Sequence, residues 1–177
     1  MASLADLAAT ALTRTDLLGA ISEEAGRLIR RPLTPAARAG EDLVAAWMAE
    51  AGAVVTRDAV GNVFGRRDGA TGWCQEPNGG RERRGPGSSF TAEGGGVSTG
   101  PTGRLALVIG SHIDTVRDAG RYDGPLGVVL GIAAMAHVAA REAAGHMALP
   151  FALEVAAFAG EEGVRFSAPF LGSRVAT

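Results

Sequence analysis

The sequence predicts an α/β fold, and three observations carry that prediction. Residues 105–109 form an unbroken apolar run, the mark of a strand buried on both faces of a sheet. Residues 126–144 read as a long Ala-rich helix, and 151–158 as a second buried strand. Strand, loop, helix, strand is the order of a βαβ unit. The sequence shows no internal repeat.

The elements before this unit follow from local signals. Residues 16–31 read as an amphipathic helix with Leu17, Ile21, Leu28 and Ile29 as its apolar positions. Thr15 is suited to cap it, and Pro32 to end it. Thr34-Pro35 opens a second helix, with Pro in the first turn. That helix turns Leu43, Val44, Trp47 and Met48 inward and stops near Gly52. Residues 53–56 and 62–66 read as short strands around a turn at 58–61. Residues 68–103 are different: 11 of the 36 are Gly, with Pro, Ser, Arg and Glu between them. So few apolar side chains cannot offset the entropy of ordering the segment, which reads as a flexible surface insertion within one domain. Arg81, Arg83 and Arg84 in it read as part of a solvated loop.

Composition narrows the functional classes. The chain has 177 residues, enough for one domain with a real core. A net charge of -2 gives no reason to expect nucleic acid or an anionic membrane as partner. Cys74 is the single cysteine, so no internal disulfide can form, and its Gly, Pro and Asn surroundings suit an inert loop thiol. No segment is read as long and apolar enough to span a bilayer. The start carries Asp6 and no basic stretch, unlike a secretory signal, and a cytoplasmic location is expected.

Polar residues gather where the predicted strands end. GSHIDT follows 105–109, GRYDG follows after a loop, and AGEEG follows 151–158. The carboxyl ends of strands in α/β sheets are where ligands bind, so these segments can converge. His112 offers an imidazole nitrogen to a zinc-like ion. Asp114, two residues on, can accept the other ring N–H and fix the tautomer. Asp123 has two oxygens with which to bridge two ions. Glu161 and Glu162 diverge, so one can bind metal while the other faces a reacting water. Each feature alone has an ordinary structural reading: a hydrogen-bonded His, a turn at Asp123-Gly124, and acidic residues at a solvated helix start.

The segments GSHIDTV, GRYDGPLGV and EEGVRF with FLGSR resemble the signatures of the M20-type metallopeptidase superfamily. They are most similar to its allantoate deiminase and N-carbamoyl-L-amino-acid hydrolase (hydantoinase/carbamoylase) branch. That resemblance implies a three-layer sheet-and-helix catalytic domain of the zinc-peptidase type, with a smaller lid domain that mediates dimerisation. It implies two divalent metal ions, zinc or manganese. His112 would bind one ion, Asp123 would bridge both, and Glu162 would bind metal. Glu161 would be the general base, and Asp114 would orient His112. The implied substrate is a small ureido compound: allantoate first, an N-carbamoyl-L-amino acid or β-ureidopropionate as the alternative. An aminopeptidase or deacylase of the wider superfamily fits the EEGVRF form less well.

The sequence departs from that pattern in two ways. The Gly-rich stretch 68–103 is longer than the family norm. The chain also stops at Thr177, ahead of the family's remaining metal-binding His residues and its lid, so the domain is expected to be incomplete. His137 and His146, on or just after the Ala-rich helix, read as ordinary helix residues. A non-catalytic remnant is therefore the competing expectation. With three protein ligands for two ions, metal affinity should be low. An assay of this chain with added zinc or manganese is expected to give little or no turnover of ureido substrates. Turnover near that of a full-length relative would contradict this.

Overall fold

The first helix begins earlier than the apolar spacing implies. In the computed structural model, which describes residues 3–69, 97–99 and 105–176, α1 spans Leu4–Gly19. A capping box starts it: the Ser3 hydroxyl accepts the Asp6 N–H at 3.1 Å, and the Asp6 carboxylate accepts the Ser3 N–H at 2.8 Å. Thr15, expected to cap a helix over 16–31, is instead buried inside α1, where its hydroxyl donates to the Ala11 carbonyl.

Residues 21–31 are not helical. Side chains there take backbone partners that a helix would use itself. The Arg30 guanidinium donates to the carbonyls of Leu18, Ile21 and Ile113. The Ser22 hydroxyl accepts the Ile29 N–H and donates to the Arg27 carbonyl. Among them, the bond to Leu18 takes a carbonyl in the last turn of α1, and the others hold residues 21–29 in a non-helical path.

Later elements follow the sequence more closely. Helix α2 (Pro35–Glu50) is capped by Thr34, whose hydroxyl accepts the Ala37 N–H at 3.1 Å, and buries Val44, Trp47 and Met48. Strands β1 (Val54–Arg57) and β2 (Val63–Arg67) lie within one residue of their expected positions. A short strand, β3 (Val97–Thr99), lies near the end of the Gly-rich stretch, where no strand was expected. It adds to the sheet edge by pairing antiparallel with residues 105–107. Most of that stretch, with Cys74, Arg81, Arg83 and Arg84, lies outside the described residues. Then come β4 (Leu105–His112), α3 (Pro125–Ala143), β5 (Ala152–Phe158) and the short α4 (Leu171–Val175).

The sheet order is β1-β2-β5-β4-β3. Among the described strands only β4 and β5 run parallel, as a βαβ unit joined by α3 requires. Registered neighbours Ile109, Val155 and Gly65 point to one face, and α2 and α3 pack there. Gly131 of α3 sits over Ile109 and Val155, and Met48 of α2 sits over Gly65. Helix α1 packs against α3. One apolar cluster joins Leu18, Val44, Trp47, Met48, Val128, Ile132 and Met135 to Val63 and Val155. The opposite face carries Phe64 edge-on to Phe158, and Arg66 paired with Glu154.

Two expectations need correction. Strand β4 is not buried on both faces: Leu105 and Leu107 are 56% and 52% exposed. Helix α3 meets this strand at Ser111 and Ile109, nearer its carboxyl end, and leaves the other end open beside the three-residue β3. Secondly, α3, with 19 residues and a mean hydropathy of 1.4, is long and apolar enough to cross a membrane by length and composition. Here it serves as a core helix, with Val128, Val129, Ile132 and Met135 buried.

Asn62 ties this frame to the loops that follow β5. It is fully buried; its amide donates to Asp58 at 2.6 Å and to the Gly172 carbonyl at 2.9 Å, and its carbonyl accepts the Ala159 N–H at 2.9 Å. Asn62→Ala would strand the Ala159 N–H without a partner and leave the Gly172 carbonyl only the Ala176 N–H at 3.1 Å. A stranded buried group costs roughly 1–3 kcal/mol, so denaturant unfolding of the variant is expected to show a loss of about 2 kcal/mol. A loss within 0.5 kcal/mol, the usual surface-mutation range of about that size, would contradict this role.

Candidate metal centre

Parallel pairing sets two strand ends side by side. His112, the last residue of β4, is in register with Phe158, the last of β5. The loops leaving these ends carry Asp114 on one side and Glu161-Glu162 on the other. Asp123 lies in the turn that enters α3. His112, Asp123 and Glu162 each offer a donor atom, and these atoms lie within 4.8 Å of one another. His112 Nε2 is 4.0 Å from a Glu162 carboxylate oxygen.

The hydrogen bonds around His112 fix which nitrogen faces this cluster. Its Nδ1 lies 3.0 Å from the backbone carbonyl of Asp114. A carbonyl only accepts, so Nδ1 carries the proton in the neutral ring and Nε2 keeps its lone pair for a ligand. The sequence suggested that the Asp114 carboxylate would hold this N–H. The carbonyl is the nearer partner, and the carboxylate oxygen stands 3.6 Å away. The carboxylate instead accepts the backbone N–H of Glu161 at 3.0 Å and of Glu162 at 3.1 Å. One buried side chain thus joins the end of β4 to the end of β5.

Protonation preferences follow from this packing. Burial works against charge on His112, but the Asp114 side chain and carbonyl, with Glu162, outweigh it and hold the imidazole above its ordinary pKa. Burial likewise works against charge on Asp114. The adjacent His112 imidazole and the two N–H groups outweigh it and hold the carboxyl below its ordinary value.

Glu161 and Glu162 diverge, as their adjacency requires. Glu162 faces His112, while the Glu161 carboxylate accepts from the Ser173 hydroxyl at 3.3 Å and lies outside the three-residue group. His137 and His146 are likewise outside it. The sequence pointed to Gly124 only as a turn residue, but it has a second constraint. Its φ is 82°, and a Cβ there would fall 2.4–2.6 Å from three atoms of the His112 ring. Ser111, also not singled out, donates to the Gly124 carbonyl at 2.8 Å and holds the turn against β4. Their signal was the spacing of GSH and DG, which shows no contact until the chain is folded.

No family model matches the chain. It is 38% identical to allantoate deiminase 1 of Glycine max over 163 residues, covering 92% of this chain and 27% of that protein. It is 33% identical to the N-carbamoyl-L-amino acid amidohydrolase of Geobacillus stearothermophilus, covering 89% of this chain and 30% of that one. The crystal structure of a hydantoinase/carbamoylase family amidase from Burkholderia ambifaria superposes with a TM-score of 0.67 at 32% identity, over 94% of this chain and 33% of that one. The chain is a homologue of the hydantoinase/carbamoylase family amidases. It spans about a third or less of the length of these relatives. The incomplete α/β catalytic domain expected from the sequence agrees with that coverage.

Within this hydantoinase/carbamoylase-type frame, the donor set suits a divalent cation: one imidazole with its free nitrogen fixed, and two carboxylates. The Gly124 cradle predicts that Gly124→Ala displaces the His112 ring. Metal titration should show an affinity weaker by about tenfold or more, the usual effect of disturbing what orients a metal ligand, in a variant that still folds. Unchanged affinity would refute the cradle.

The pKa directions predict a pH profile for the metal-free chain. His112 is raised, so its contribution is present below its unfolded value of about 6.5 and lost as pH rises through the folded value. Asp114 is lowered, so its contribution is present above about 3.9 and lost as pH falls through the folded value. Urea unfolding should therefore show greatest stability between these limits, and His112→Gln should flatten the alkaline fall. A wild-type alkaline limb that is already flat would contradict the assignment.

Proposed function

We propose that this chain carries part of the active site of a metal-dependent amidohydrolase that cleaves a C–N bond of a small ureido compound. Allantoate is the substrate favoured by the similarity to allantoate deiminases. The observation that carries the proposal is the meeting of His112, Asp123 and Glu162 donor atoms within 4.8 Å, with the Glu161 carboxylate on the adjacent residue. These three residues would hold divalent cations, zinc or manganese, with Asp123 as the bridge in a two-ion site. When bound, such ions polarise a carbonyl oxygen and acidify water.

The residues of this chain divide the remaining work. His112 presents Nε2 because Asp114 occupies its Nδ1. Asp114 holds the Glu161-Glu162 backbone, which fixes where the two glutamate side chains depart. Glu161 takes a proton from the attacking water and returns it to the leaving nitrogen, as general acid–base chemistry requires. Ser173 donates to the Glu161 carboxylate and restricts its orientation.

A second substrate class, N-carbamoyl-L-amino acids, is favoured by the 33% identity to the Geobacillus stearothermophilus amidohydrolase. The two share the ureido carbonyl and differ in the group attached to it. A protein extending this sequence to the length of its relatives should turn over one of them and lose activity to a chelator. Glu161→Gln in that protein should lower kcat by roughly 10²–10⁴ with bound metal unchanged. Full activity of that variant, or of the metal-stripped protein, would overturn the proposal.

A further inference from the structure

Arg30 is the largest fully buried side chain in the described structure, and none of the chemistry above uses it. Its Nε donates to the Ile113 carbonyl at 2.8 Å, and its Nη1 to the Leu18 and Ile21 carbonyls at 2.7 and 2.9 Å. Its backbone is tied to the same segment. The Arg30 N–H meets the Thr115 hydroxyl at 3.0 Å, and the Thr115 N–H meets the Arg30 carbonyl at 3.0 Å. Residues 113 and 115, the neighbours of Asp114, are therefore both fixed by one residue. Ile113 also lies between His112 and Asp114.

Burying a guanidinium is costly, and here three backbone carbonyls, one of them next to Asp114, take its N–H groups. Here burial lowers the Arg30 pKa to about 10, an effect that Asp114 opposes, so the group stays charged at neutral pH. Its Nη2 has no hydrogen-bond partner among the described residues. Arg30 lines a small cavity together with Glu41, Ile113 and Asp114. A positive charge thus sits beneath the segment that carries the acidic cluster.

We propose that Arg30 is a positioning residue for the metal site: by gripping the Ile113 carbonyl from within the core, it sets the placement of His112 and Asp114 on either side. The proposal deepens the metal-site assignment and rests on it, but part of its test is independent of metal. In the metal-free chain, the ring nitrogens of neutral His112 report the tautomer by ¹⁵N NMR. In parallel, titration with Co²⁺ reports affinity.

Wild type should show the Nδ1–H tautomer. Arg30→Lys keeps the charge but cannot span three carbonyls. It should give a mixed tautomer and a Co²⁺ affinity weaker by about tenfold or more, as when the support behind a metal ligand is lost. Thr115→Val removes one tie from the other side and should shift both readouts in the same direction by less; it serves if the lysine variant does not fold. Val44→Ala, a core truncation elsewhere, should lower the unfolding midpoint yet leave tautomer and affinity as in wild type. Arg30 is excluded as a positioning residue if the lysine variant, or the valine variant in its place, keeps the wild-type tautomer, or if Val44→Ala shifts it equally. Failure of wild type to bind Co²⁺ would count against the metal site alone, because the tautomer comparison would still decide the role of Arg30.

Discussion

The Asp114 carboxylate, accepting the N–H groups of Glu161 and Glu162, is the contact on which the candidate site depends. Parallel pairing brings β4 and β5 together, but it leaves the loops beyond them free to diverge. One buried acceptor with two oxygens closes that gap. It spans 47 positions in sequence and holds both glutamates relative to His112. Its own position is fixed by Arg30 beneath Ile113 and by the Arg30–Thr115 pairing. Core, anchor, aspartate and glutamate loop are thus linked by hydrogen bonds on either side of the 113–115 backbone.

Those bonds also explain the charge arrangement. Asp114 remains ionised although buried, because donors surround it. His112 is drawn toward protonation by Asp114 and Glu162, and a cation bound at Nε2 would replace that proton. Without such a cation, three carboxylates and an imidazole share a small volume. Arg30 is the buried positive group of the protein itself that stands nearby.

Much of this was legible in the sequence. The βαβ unit, α2 with its start at Thr34-Pro35, and the turn at 58–61 were visible because each depends on local signals: apolar runs, Pro at a first turn, Asp and Gly in a bend. His112, Asp114, Asp123, Glu161 and Glu162 could be singled out because each follows a strand end or precedes a helix. The helix expected over 16–31 failed because a tertiary partner outcompeted periodicity. Arg30 draws on the carbonyls of Leu18 and Ile21, and neither the burial nor the partners of an arginine show in the spacing of Leu and Ile. The capping box at Ser3 and Asp6 was legible in principle, since its spacing of three is a local signature. The half-open face of β4 was not, because residues 105–109 look the same whether or not a helix covers them. Gly124 was read as a turn residue, and its contact with the His112 ring appears only once the chain is folded.

All of this presumes that His112, Asp123 and Glu162 meet around a cation. A crystal of this chain grown with zinc or cobalt, with anomalous data collected at the metal edge, tests it most directly. The expected result is a peak bonded to His112 Nε2 and to oxygens of Asp123 and Glu162 at roughly 2.0–2.2 Å, with Nδ1 still on the Asp114 carbonyl. A metal bound elsewhere, with these three side chains pointing apart, would contradict it.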